Sequence, residues 1–168
     1  MNKVLLPIDG SPNSLRAVRH VVNQFMGNHA LELHLLHVRT PLTQHVARFL
    51  SRGTRARFHA DEADKALGPA REMLKRFGVP FTEHVERGDK AETITRVAQL
   101  LGAGQIVMGT ARKNSFTRLI EDSVTNRVLE LTQVPVEVVA GESVSKLERF
   151  GVPAGIAAAM ALLFIAAD

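Results

Sequence analysis

The stretch IVMGTARKNSFTRLIEDSVTNRVLELTQVPVEVV, residues 106–139, decides how the rest of the chain is read. It opens on the apolar run Ile106-Val107-Met108 and passes through Gly109 into a polar segment. Helical spacing then returns with Phe116, Ile120, Val124, Val128 and Leu131, before Val134-Pro135 leads into Val136-Glu137-Val138-Val139. That order predicts a buried strand, a loop opening at the glycine, a helix with one apolar face, and a second strand. A strand that runs through a loop into a helix N-terminus gathers free backbone N–H groups at the positive end of the helix dipole. Such a unit is a natural seat for an anion.

Outward from this unit the same alternation repeats. Residues 3–8 form an apolar run closed by Asp9-Gly10, without polar alternation, as a strand covered on both faces of a parallel sheet requires. Ser11 offers an N-cap with Pro12 in the first helical position, and Leu15, Val18, Val22 and Phe25 follow at helical spacing up to Gly27. Residues 31–38 read as the second strand, with Leu31, Leu33 and Leu35 on one face and Glu32, His34, Leu36 and Val38 on the other. Between residues 39 and 58 the periodicity fades, and Pro41, Gly53 and the arginines 48, 52, 55 and 57 predict a long solvated connection. Helical spacing resumes over residues 59–77 through Ala63, Leu67, Ala70, Leu74 and Phe77, with a kink expected at Gly68-Pro69 and a stop at Gly78. A third strand is expected from Phe81 to about Glu86, then a helix capped by Asp89 in a box with Glu92, carrying Ile94, Val97, Ala98 and Leu101 and stopping at Gly102. Strands that alternate with helices in this way define an α/β domain with a mostly parallel sheet.

Composition narrows the function. A chain of 168 residues, 45% of them hydrophobic, supports one cored domain and a tail. The formal charge of +4 and a pI near 10.0 favour anions, yet acidic residues are spread throughout. With no cysteine, disulfides, thiolate zinc sites and thiol catalysis are excluded, and a cytoplasmic setting is expected. His34 and His37, three apart on a strand, face opposite ways, so no metal site is expected. No nucleophile elbow, Walker loop or full dinucleotide fingerprint occurs, which argues against hydrolase and NTPase chemistry. Nucleic acid is not an expected partner, because Tyr and Trp are absent and only Phe49 and Phe58 accompany the arginine-bearing connection.

Four segments carry a joint signal: Pro7-Ile8-Asp9-Gly10-Ser11, Gly88-Asp89-Lys90-Ala91-Glu92-Thr93-Ile94, Met108-Gly109-Thr110, and Asp122-Ser123-Val124 leading to Pro135-Val136-Glu137-Val138-Val139. Together they resemble the universal stress proteins, of the adenine nucleotide α-hydrolase-like group, over roughly residues 2–140. The resemblance implies a Rossmann-like open parallel sheet of five strands in the order 3-2-1-4-5 with helices on both faces. It also implies a homodimer formed through the last strand, Val136 to Val139, and, in one subgroup, ATP held at the carboxyl ends of strands 1 and 4. That place agrees with the general rule that open α/β sheets bind ligands where the strand order reverses.

By the same resemblance, Pro7, Asp9, Val38, Met108 and Gly109 belong to the nucleoside end of the site, and Arg112, Asp122, Ser123 and Val124 to the phosphate end. The ATP-binding pattern of that subgroup is Gly, two residues, Gly, nine residues, then Gly with Ser or Thr. Here the spacing holds while Arg112 and Asp122 stand at the second and third glycines, with Ser123 as the hydroxyl. A carboxylate about 4 Å from a polyphosphate repels it by roughly 1 to 4 kcal/mol per charge pair, so weak or absent ATP binding is expected. Two readings of this loop stay open: an internal ion pair of Asp122 with Arg112 or Lys113, or three solvated side chains. Asp9 likewise admits a ligand role and a turn-capping role. The expected function is that of a non-catalytic stress-response dimer with a degenerate nucleotide loop. The alternatives are an ATP-binding switch and a membrane-recruited adaptor.

The adaptor reading rests on the tail, residues 141–168, read as a linker and an apolar helix. Its segment GVPAGIAAAMALLFIAA, residues 151–167, holds no charge. As a helix, residues 153–167 would span about 22 Å, short of the roughly 30 Å core of a bilayer. Docking on a partner or on another copy is favoured over membrane association.

Overall fold

A computed structural model describes residues 2–39, 52–110 and 124–140. The first strand, β1 (Asn2–Pro7), is followed by α1 (Pro12–Gly27), β2 (Leu31–Arg39), α2 (Arg52–Arg76) and β3 (Phe81–Arg87). The chain continues through α3 (Lys90–Leu101), β4 (Gln105–Thr110), α4 (Val124–Leu131) and β5 (Val136–Ala140). All strand pairs are parallel, and the sheet order is β3-β2-β1-β4-β5. The order expected from the resemblance is therefore the order found.

The sheet is covered on both faces because its central strands are apolar at consecutive positions. Val4 and Leu6 of β1 join Leu31, Leu33 and Leu35 of β2 against α1 and α2. Leu5 joins Leu36, Val38, Ile106 and Met108 on the opposite face, under α3 and Val128 of α4. Burying one such side chain contributes about 1.5 to 3 kcal/mol, and central strands collect that gain on both sides.

The helix ends follow local chemistry. Ser11 caps α1 by accepting the Ser14 N–H at 3.2 Å. Asp89 caps α3 by accepting the Glu92 N–H at 3.1 Å, and α3 closes on Gly102 at φ 61°, a left-handed conformation that glycine adopts at little cost.

Three expectations need correction. The second large helix starts at Arg52, seven residues before the predicted start, because charged first turns carry no apolar period although Arg and Ala favour helix. Arg39 belongs to β2, so the predicted connection loses one residue at its start and seven at its end. Across Pro69, where a kink is expected, α2 continues as one helix; its buried Ala66, Leu67, Ala70 and Leu74 hold both halves on the core, which offsets the roughly 3 kcal/mol cost of an internal proline. Phe77, one residue past the end of α2, and Leu131, the last residue of α4, were read as members of apolar faces and are half-exposed.

The edge strand β5 is tied to α1 by a polar cluster that no local pattern announces. Glu137 accepts from Gln24 at 3.0 Å and from Gln105 at 2.5 Å, and its other oxygen meets His20 Nε2 at 2.6 Å. The expectations for residues 40–51, for Phe116 and Ile120, and for the tail at 141–168 lie outside the described residues.

Candidate functional site

The strand order reverses between β1 and β4, and the chain leaves both strands at the same edge of the sheet. A cavity of about 340 Å³ opens there, a size at the lower end of ordinary ligand pockets. Its floor is the carboxyl ends of β1, β2 and β4: Pro7, Ile8, Leu36, Val38, Met108 and Gly109. One wall is the start of α1, with Ser11, Asn13 and Ser14; the other holds Lys90 and Ile94 of α3 with Val124 and Thr125 of α4.

Of the residues assigned to the site from sequence, Pro7, Asp9, Val38, Met108, Gly109 and Val124 all line this cavity. Arg112, Asp122 and Ser123 lie outside the described residues, and the ion pair considered for Asp122 lies there too.

Asp9 stands where β1 turns into α1, and Gly10 follows at φ 80°. The Asp9 Oδ1 accepts the Ser11 N–H at 3.0 Å, so the carboxylate organises the turn as well as facing the cavity. Burial pushes its pKa up, but hydrogen bonds from the Ser11 hydroxyl and amide and from Ser14 outweigh this and hold it below the ordinary carboxylate value. At neutral pH the cavity therefore presents a fixed negative charge at that turn.

Gly109 behaves differently from the loop glycine expected. It lies inside β4, paired with Val139 of β5, and β4 continues to Thr110 opposite Ala140. Its φ is not positive; a side chain is excluded because a Cβ there would collide with the carbonyl of Asn13. The glycine lets the start of α1 sit directly on β4, which narrows the cavity from that side.

Sequence reasoning missed Ile8, Ser11, Asn13, Ser14, Leu36, Lys90, Ile94, Thr110 and Thr125 as wall residues. The usable signal was topological: in a parallel sheet every strand-to-helix turn lies at one edge, so the first residues of α1, α3 and α4 share the crevice.

A parallel α/β sheet with its crevice at the reversal point defines the open, doubly wound class of α/β fold, in which ligands sit outside the carboxyl ends of the strands. The model of the universal stress protein family matches residues 1–140, and the chain belongs to that family. It is 28% identical over 143 residues to the universal stress protein MJ0531 of Methanocaldococcus jannaschii, covering 82% of this chain and 81% of that one. Among solved structures, hypothetical protein MJ0577 superposes with a TM-score of 0.67 at 27% identity, over 85% of this chain and 98% of that chain. A universal stress protein family member from Arabidopsis thaliana, solved with AMP bound, shares the fold at a TM-score of 0.62 and 15% identity, over 85% of this chain and 94% of that chain.

Proposed function

We propose that this universal stress protein is a non-catalytic regulatory module whose crevice holds the nucleoside part of an adenine nucleotide and grips a triphosphate only weakly. The observation that carries this reading is the cavity itself, with an ionised Asp9 at one end and an apolar floor of Pro7, Val38 and Met108. A purine ring suits such a floor, and its exocyclic amine suits a carboxylate acceptor. AMP in a relative of the same fold supports the choice of ligand class. Arg112 and Asp122, in place of the loop glycines, argue for a weakened hold on the outer phosphates.

Calorimetric titration of the full chain with adenosine tests the reading. Binding in the wild type that Asp9→Ala weakens is the expected result, and an absence of adenosine binding removes the reading.

A homodimer through β5 is part of the same proposal. Among the described residues that strand is a sheet edge, and Val138 on it and Leu129 and Leu131 on the preceding helix are exposed apolar side chains. Sedimentation of the wild type as a dimer, and of Val138→Lys as a monomer, is expected; a wild-type monomer would remove this part. The reading places the protein in the cytoplasm; among the described residues no helix is long and apolar enough to cross a membrane.

A further inference from the structure

Among the described residues that line the crevice, Asp9 carries the single negative charge and Lys90 the single positive one. The two stand on different walls, Asp9 at the β1–α1 turn and Lys90 at the first position of α3. Lys90 and Ile94 are four residues apart and share one helix face, and Ile94 is buried in that same wall. Lys90 lines the cavity and is itself exposed, as suits a lysine whose stem follows an apolar wall while its ammonium stays in water.

Two carboxylates close to Lys90 in the chain already have partners. Asp89 accepts the Glu92 N–H at 3.1 Å and the Arg127 guanidinium at 3.0 Å. Glu86 takes Arg96 at 2.9 Å. Among the described residues no carboxylate comes within ion-pair distance of Lys90. The Asp89–Arg127 tie also joins the start of α3 to α4, and Lys90 and Thr125 both line the cavity.

We propose that Lys90 is the anion anchor of the crevice, taking the phosphate nearest the nucleoside from the α3 side and so supplying a charge contact that does not depend on the glycine loop after β4. This rests on the nucleotide reading above and adds to it a residue and a direction: the amine-bearing end of the ligand toward Asp9, the anionic end toward Lys90.

The test titrates the full chain with AMP and with adenosine, and follows thermal unfolding in inorganic phosphate. Lys90→Met is expected to raise the Kd for AMP roughly tenfold, the loss of one solvent-accessible charged contact, and to leave adenosine binding unchanged, while Lys90→Arg retains most of the AMP affinity. Arg87→Met, close in sequence but outside the cavity lining, is expected to leave AMP binding as it was. Unchanged AMP affinity in Lys90→Met overturns the proposal, as does an equal loss for AMP and adenosine, or an equal loss in Arg87→Met. If adenosine fails to bind the wild type, the nucleoside reading falls by itself. Lys90 is then judged on phosphate: stabilisation that vanishes in Lys90→Met sustains the anchor, and stabilisation that is absent or independent of Lys90 overturns it.

Discussion

The backbone of Gly109 in β4 lies against the backbone of Asn13 in the first turn of α1, with no room between them for a Cβ. This contact sets how closely the α1 wall approaches the β4 floor of the crevice. Gly109→Ala must push α1 outward against its buried Val18, Val21 and Val22. The expected cost is about 1 to 3 kcal/mol, as for other overpacked sites, read as a lower urea midpoint at unchanged slope. A loss below about 0.5 kcal/mol, the size of an ordinary surface substitution, would show that the contact is loose.

Glu137 gathers His20, Gln24 and Gln105 around one carboxylate and so fastens the edge strand to α1. Glu137→Ala leaves these groups without their shared acceptor. A loss of roughly 1 to 2 kcal/mol is expected for this half-exposed cluster, together with faster hydrogen exchange of the amides in β5. Exchange that accelerates evenly over the whole sheet would assign Glu137 to global stability and not to the edge.

His34 is buried on β2, between Glu32 at 3.1 Å and His84 at 3.0 Å. Burial is the largest influence and lowers its pKa from the ordinary 6.5; the Glu32 charge opposes this and His84 adds to it. The folded protein thus favours the neutral ring, and the unfolded chain takes up a proton first as pH falls through 6.5. Stability from this site is fully present above 6.5, declines below it, and levels off once pH passes the lower folded value. His34→Gln should flatten that part of the stability–pH curve measured by urea unfolding. Parallel curves for wild type and variant would contradict the assignment.

Much of the architecture was legible because its signals are local. Ser11-Pro12, Asp89 with Glu92, and Gly78 and Gly102 each act on their own turn, and consecutive apolar residues in β1 mark a strand covered twice. Of the cavity lining, Pro7, Asp9, Val38 and Met108 were expected from the family resemblance, which agrees with the rule that ligands sit at strand ends. Gly109 was misplaced into a loop because its partners, Val139 and Asn13, are remote in sequence. Lys90 was overlooked for a related reason: on the chain it is an ordinary first-turn residue, and only the parallel topology carries it to the crevice. The Glu137 cluster spans more than a hundred residues, and no spacing rule reaches that far.

The central claim is that the crevice keeps a nucleoside site while its hold on the outer phosphates is weak. Parallel calorimetric titrations of the full chain with AMP and with ATP and Mg²⁺ test it most directly. The prediction is that AMP binds at least as tightly as ATP and that Asp9→Ala weakens both. ATP binding more than about tenfold tighter than AMP, an advantage of some 1.4 kcal/mol from the added phosphates, would contradict it.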